Sequence, residues 1–564
     1  MKGREVFDRI PEEVCRELET IVGSENITTD PNICMSNYGF GFGHEVYYLH
    51  GVTQAPGAIV MPQTTEEVAQ IVRVCNRYGI PFHPYSSHCT SPSDPALVQN
   101  AVSLDLKRMT EWEIDQKNMY AIVESGVISA QMAAEANKRD LYYIVSGGGG
   151  LTGVLSNHLS CGWGHFNYRA TPFSNRRING LEWVSPEGEI YRMGSLANGD
   201  DDWYWGDGFG PDLIGFLKGL SGWWGGMGIT TKMSVRLYPF QPDQFTPQGI
   251  GGRTTVALPP RVKYYNVTFP TKNALLKAID EIGKTDIAHI VNIVPAFWRS
   301  MAKCAGIHDF RNEFFDGWDN VTEEEVANTH IGRFLLVGRT SLEQLEYEER
   351  VLMDIVAECD GTARKTPQRD EATFRYANTA DMWMMTGCFG ATEAGMESAR
   401  CTKLQNEVFT DILYNYEHKH DFLDQKGEFP WYLMWDRGRQ RYTENHVQPD
   451  ARDMDPADPG GDKELMGRTL PWIVSTGPVM NLKTGCRGLF EGTVSPITGQ
   501  GMAYHHYDEW LHRFKTEFDP KGLSGDFWPF ANEKIVEGAP GVLTEEYREA
   551  MANAEKGPWL GNPE

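Results

Sequence analysis

Four consecutive glycines, Gly147 to Gly150, open the stretch SGGGGLTGVLSNHLSCGWGHFNY at 146–168, and Gly153, Gly162 and Gly164 follow within it. Glycine loses more conformational entropy on folding than any other residue, so such a run is retained where a side chain would block a close approach of backbone. A diphosphate or a planar ring is the typical ligand at such a place. For an isolated Gly-Gly pair a tight turn between strands is the alternative; the length of this segment favours the ligand. His165, Tyr168 and Arg169 lie just downstream. An imidazole titrates near neutrality and a guanidinium binds phenolates or carboxylates, so these are candidates for proton transfer and anion binding, with ordinary packing the alternative for any one of them. Tyr504, His505 and His506 form a second cluster. Adjacent histidines lack the spacing to chelate from one helix face and no carboxylate motif accompanies them, so no metal site is expected.

An alternation of strands and helices must position these groups. Residues 11–22 read as a helix opened by Pro11, with Val14, Leu18, Ile21 and Val22 on one face and Gly23 as its stop. From residue 57, GAIVMP is a short buried strand, TTEEVAQIVRVCNRYG a helix opened by Thr65 and Glu66 and closed by Gly79, and IPFHPYSS another strand, a βαβ unit. AVSLDL, YAIVESGV, the helix SAQMAAEANKRD, LYYIVSGGGG, INGLEWVSPEGEIYRMG and ITTKMSVRLYP follow, so the chain to about residue 240 reads as α/β. QPDQFTPQGIGGRTTVALPP, about 241–260, has the Gly, Pro and Gln content of a linker, with a second domain beginning just after it. There VKYYNVTFP and FLLVGRT read as strands, and TKNALLKAIDEIG, SLEQLEYEERVLMDIVAEC and ESARCTKLQNEVFTDILYNYEH as helices, an α+β layer. The polar stretch 439–469 is expected to be an exposed loop, and DEWLHRFKTEF a helix stopped by Asp519-Pro520-Lys521-Gly522.

A chain of 564 residues exceeds what one hydrophobic core supports, so two domains are expected. Its 41% hydrophobic and 23% charged residues are globular values, and no apolar stretch is long enough to cross a bilayer. The N-terminus is charged and amphipathic where a secretory signal would be apolar, so the expected location is the cytoplasm. A formal net charge of −25 opposes binding to nucleic acid. Ten dispersed cysteines without a C-x-x-C pair fit reduced thiols better than a disulfide framework or zinc site. The 58 glycines, 16 tryptophans and 23 tyrosines suit an aromatic-lined interior around a flat ligand.

The glycine-rich segment resembles the second FAD-contacting segment of the vanillyl-alcohol oxidase and p-cresol methylhydroxylase family, a GGG run, then Gly-Asn, then Gly-x-Gly. Gly148 to Gly150, Asn157, Gly162 and Gly164 match, with Ser156 in place of the glycine before the asparagine. IVGSENI at 21–27, GAIVMPQTTEEVAQIVRVCNRYGIPFHPYS, GFGPDLIGFLKGLSGWWGGMGITTKMSVRLYP at 208–239 and DPKG at 519–522 agree with the family in order and spacing. The resemblance implies an α+β, two-domain FAD-binding fold of the PCMH type. Residues 1–240 would form the FAD domain, completed by 500–564, and 241–499 an α+β cap carrying the substrate site.

It also implies a cofactor site. Pro84, Tyr85, Ser86, Ser87, His88 and Cys89 stand where relatives carry a glycine-rich pyrophosphate loop, and Gly147, Gly153, Gly226, Gly228 and Ile229 join the matched glycines. His88 is the candidate for covalent flavin attachment, with hydrogen bonding in a loop its alternative; Gly387 and Cys388 offer no attachment from the cap. Ser160 and Cys161 replace the acidic residue and arginine that phenol-oxidising members hold beside the flavin. Tyr504, His505 and His506 stand near the family's phenolate-binding Tyr-Arg pair.

The implied reaction is hydride transfer from an activated C–H of a small aromatic or phenolic substrate to flavin N5, in the phenolic branch giving a quinone methide that water traps. Reoxidation by oxygen or by a protein electron acceptor and a homo-oligomeric state are implied by the same resemblance, and the acidity of the chain leaves room for a basic redox partner such as a cytochrome. Competing readings are a 2-hydroxy-acid or sugar-alcohol dehydrogenase of the same superfamily, and a flavin-free binding protein or subunit.

Overall fold

Helix α1, Glu12–Val22, buries Val14, Leu18 and Val22 and ends at Gly23. The structure, a computed structural model, describes residues 10–38, 56–87, 101–144, 150, 152–159, 178–197, 203–204, 213–218, 226–239, 247–248, 255–293, 315–327, 330–366, 368–370, 391–395, 399–416, 419–424, 426, 431–435, 440–446, 450 and 507–525. Strand β1 (Ile27–Thr28) and helix α2 (Pro31–Tyr38) lead to β2 (Ala58–Val60), helix α3 (Thr65–Tyr78), β3 (Phe82–Tyr85) and β4 (Val102–Asp105). These strands make a sheet of order β1-β2-β4-β3 in which β4 runs parallel to both β2 and β3. The expected βαβ unit is present, with β4 inserted between its two strands. Helix α3 is capped by Thr64, whose hydroxyl accepts from Glu67 N at 3.1 Å, not by Thr65. The Thr65 hydroxyl instead contacts Glu182 at 2.8 Å and Thr231 at 2.9 Å in the buried seam with the next sheet.

That next sheet has the order β5-β6-β10-β8-β9, from β5 (Trp112–Asp115), β6 (Tyr120–Glu124), β8 (Ile178–Val184), β9 (Ile190–Gly194) and β10 (Ile229–Arg236), and every pairing in it is antiparallel. Among the described strands parallel pairing is confined to the first sheet, and the short hairpin connection between β8 and β9 is one that enforces antiparallel neighbours. Helix α4 (Ser129–Asn137), strand β7 (Leu141–Tyr142) and helix α5 (Val154–Leu159) pack on this sheet around Trp183, Met132 and Met233.

Beyond β11 (Tyr238–Pro239) the expected linker contains β12 (Pro247–Gln248) and β13 (Thr255–Ala257), which pair with β18 (Gln368–Asp370), so part of this Gly- and Pro-rich stretch is strand. A seven-stranded sheet follows, of order β17-β14-β16-β15-β20-β21-β19. Its strands are β14 (Val262–Phe269), β15 (Ile290–Ile293), β16 (His330–Val337), β17 (Thr362–Thr366), β19 (Ala391–Gly395), β20 (Trp431–Trp435) and β21 (Gln440–His446). Strand β21 falls within the stretch expected to be an exposed loop; pairing with β19 and β20 on both sides holds its polar sequence extended. Helices α6 (Lys272–Gly283) and α7 (Leu342–Glu358) cover one face, packing Leu275, Ile279, Leu345 and Leu352 against Val267, Val291, Phe334 and Tyr432. Helix α8 (Ala399–Asn415) lies against β21, where Asn406 Nδ2 donates to Asn445 Oδ1 at 3.3 Å.

The opposite face of this sheet packs Val262, Tyr264, Ile290, Leu335 and Val337 on Tyr142 and Ile144, a few residues before the glycine run in sequence. At the C-terminal end, helix α9 (Tyr507–Phe518) stacks Phe518 on Phe216, with ring centroids 5.0 Å apart. The chain then returns to β3, where Phe82 N donates to Leu523 O and Gly525 N to Phe82 O, both at 2.8 Å.

Candidate functional site

Strand β3 delivers two serines to the glycine-rich segment. Ser86 Oγ donates to the Ser125 carbonyl at 2.6 Å, and Ser87 Oγ accepts from Gly153 N at 2.9 Å. A Cβ on Gly153 would lie 2.5 Å from Ser86 Oγ and 2.7 Å from Ser156 Oγ, so any side chain there would force both serines to turn away. From the other side the segment is pinned to the start of α4: Ala130 N donates to Gly150 O, and Ser129 N to Thr152 O, each at 2.8 Å. Asn157 is buried within α5. Pro84 is half-buried and Tyr85 buried at the end of β3. The two segments singled out in the sequence thus meet at Gly153.

A second knot forms at Gly226 and Gly228. Gly228 has φ +85°, and a Cβ there would collide with the Val184 carbonyl. Trp183 Nε1 donates to Met227 O at 2.6 Å, and Ile229, buried, begins β10 opposite Val184. Gly228 N donates to Ser524 Oγ at 2.8 Å. Lys515, buried on α9, donates to Gly226 O at 2.6 Å and to Ser524 O, and pairs with Asp519 at 2.6 Å. Asp519 in turn accepts from Leu523 N at 3.0 Å and Ser524 N at 2.8 Å. One buried ion pair therefore ties the returning C-terminal segment both to β3, just before Ser86, and to Gly226–Gly228. Lys515, Asp519, Ser524 and Ser125 were not among the expected site residues. The DPKG motif marked their neighbourhood, but nothing local marks their partners.

His88, Cys89, Gly147, Gly148, Gly149, Ser160, Cys161, Gly164, His165, Tyr168, Arg169, Tyr504, His505 and His506 lie outside the described residues, as do Gly387 and Cys388. Among the described residues no cluster of His, Cys, Asp or Glu is arranged to hold a metal, and no helix is long and apolar enough to cross a membrane. At the seam with the seven-stranded sheet the Tyr142 ring meets His289 edge-on at 5.4 Å, and His289 Nδ1 lies 2.7 Å from Arg339 Nη2.

The FAD_binding_4 family, a FAD binding domain, matches residues 56–194, a span holding both Ser86–Ser87 and Gly150–Asn157. The structure superposes on p-cresol methylhydroxylase with substrate bound at a TM-score of 0.67 and 18% identity, over 90% of this chain and 94% of that one. The chain therefore has an α+β fold like that of p-cresol methylhydroxylase, its residues 56–194 match a FAD binding domain, and FAD is the cofactor that domain binds.

Among curated proteins it is similar to the 4-cresol dehydrogenase (hydroxylating) flavoprotein subunit of Pseudomonas putida, 24% identical over 348 residues, 58% of this chain and 61% of the relative. It is also similar to the mitochondrial D-lactate dehydrogenase (cytochrome) of Arabidopsis thaliana, 24% identical over 234 residues, 41% of this chain and 38% of the relative. The chain thus spans less than two thirds of the length of these relatives.

Proposed function

We propose that this protein is a FAD-dependent oxidoreductase that removes a hydride from an activated C–H of a small aromatic or phenolic substrate. The observation that carries the reading is the convergence at Gly153. There the Gly153 backbone, with no Cβ to crowd them, meets Ser86, Ser87 and Ser156. Ser87 accepts from Gly153 N and so keeps its own O–H for another acceptor, which suits a phosphate oxygen. The same reading divides the chain into a FAD domain, 1–240 with 500–564, and a cap, 241–499.

FAD, when bound, supplies the hydride acceptor. The chain's part is to hold the pyrophosphate at Ser86, Ser87 and Gly147–Gly153, to seat the ring near Gly226–Ile229, and to close water out between the domains. His165, Tyr168 and Arg169, with Tyr504, His505 and His506, are the groups proposed to bind the substrate oxygen and to accept its proton, since Ser160 leaves no carboxylate at that place. His88 is the proposed site of any covalent attachment. A cytochrome-like electron acceptor is proposed from the cytochrome named in the D-lactate relative and from the acidity of this chain, which suits a basic partner.

Similarity to a D-lactate dehydrogenase favours a second reading, oxidation of a 2-hydroxy acid. An absorption spectrum followed by a dye-linked screen tests both. Flavin bands with turnover of 4-alkylphenols support the first reading, and turnover of D-lactate in their place supports the second. A colourless protein that takes up no added FAD leaves a binding protein built on this fold. Colour that stays in the pellet after acid precipitation, and is lost in His88→Ala, identifies the covalent link.

A further inference from the structure

On the face of the seven-stranded sheet that meets the FAD domain, the register aligns one polar row. Arg364 of β17 pairs with Asn266 of β14, Asn266 with Arg333 of β16, and Arg333 with Asn292 of β15. These are direct cross-strand neighbours, with side chains on one face about 5 Å apart. Toward one end of the strands the same face is apolar and sealed, with Tyr264, Leu335 and Ile290 packed on Tyr142 and Ile144. Toward the other end it opens, with Thr268 exposed and Ile331 half-buried. The row therefore lies where the interdomain seam gives way to solvent. Along it exposure falls inward, from exposed Arg364 through half-buried Asn266 and Arg333 to Asn292, 1% exposed.

At this inner end neither Nδ2 nor Oδ1 of Asn292 has a hydrogen-bond partner. A buried amide without partners is unfavourable, and an apolar residue of similar shape would be as stable or more so. Such a group calls for an explanation, and a bound ligand that completes it is one. An amide that both donates and accepts matches a hydroxyl, which does the same.

We propose that Asn292 is a substrate-binding residue that takes a hydroxyl group, reached along the row Arg364–Asn266–Arg333. The proposal rests on the oxidoreductase reading for its location, and a phenolic or an aliphatic hydroxyl would satisfy the same chemistry.

The test uses FAD-loaded protein and Asn292→Leu. Binding of 4-ethylphenol, its O-methyl ether and D-lactate is followed by perturbation of the visible flavin spectrum, and Tm is measured without ligand. The expected result is at least tenfold weaker binding of the hydroxylated probe by the variant, unchanged binding of the ether, and a Tm equal to or above wild type. Equal binding of the hydroxylated probe by both proteins, or a lowered Tm, overturns the proposal. Asn292-dependent binding of D-lactate with no response to 4-ethylphenol keeps the proposal and rejects the phenolic reading. Turnover of 4-ethylphenol that is indifferent to Asn292→Leu does the reverse, and a wild type that binds none of the probes overturns both.

Discussion

At Gly153 a single methyl group decides whether two loops can meet. Gly153→Ala places a Cβ 2.5 Å from Ser86 Oγ, so Ser86 must turn away and release the Ser125 carbonyl. The expected cost is about 1–3 kcal/mol, read by denaturant unfolding, with weaker FAD uptake in a titration of apoprotein. Gly228→Ala is harsher. Its clash is with backbone at Val184 and its φ is +85°, so strain adds to overlap and nothing flexible can yield. A loss of about 3 kcal/mol or more, or failure to accumulate folded protein, is expected from combined overpacking and backbone strain. Gly153 was legible in the sequence as a place of close approach. What approaches Gly153 was not, because Ser86 and Ser87 arrive from residues 66 positions and more away.

Among the elements, α9 shows how a helix can be readable while its task is not. The sequence DEWLHRFKTEF followed by Asp-Pro-Lys-Gly predicts the helix and its stop, and Tyr507–Phe518 is helical. That Lys515 and Asp519 are 6% and 3% exposed runs against the usual behaviour of charged residues near a helix end. The structural cause is that this turn is inserted between β3 and the Gly226–Gly228 knot, where the ammonium meets two carbonyls and a carboxylate. Lys515→Met leaves Asp519 charged and buried without its partner, a loss of about 3–5 kcal/mol. The double variant Lys515→Met/Asp519→Asn should recover part of it, which a double-mutant cycle by chemical denaturation measures. Strand β21 is the converse case. Its polar residues suggested a loop, but hydrogen bonding to strands on both sides overrode composition, as tertiary context does for weak local propensity.

For the molecule as a whole, burial keeps the described cysteines as thiols. Cys34 is pushed up to about 11 and Cys75 up to about 12, in both cases chiefly by desolvation. A thiol raised in the folded state contributes stability that is complete below the unfolded value of about 8.5 and fades as pH rises toward the folded one. Two outcomes are expected: slow labelling of Cys34 and Cys75 by a thiol reagent in the native protein at pH 8, and falling stability in unfolding curves between about pH 9 and 11. Similarity in fold extends over 90% of the chain, although sequence identity with that neighbour is 18%. The sequence by itself determined the α+β class and, through a resemblance carried by the order of its motifs, FAD as cofactor; it also marked Gly153 and Gly228 as places of close approach, because such features follow from local patterning and motif order. Tertiary structure alone decided which side chains close those approaches. Gly228 meets Ser524 across 296 residues and Gly226 meets Lys515 across 289, and the orphaned amide of Asn292 is defined by what surrounds it. Contacts of that range carry no periodicity or spacing along the chain, since they exist only once distant backbone segments have packed and excluded water between them.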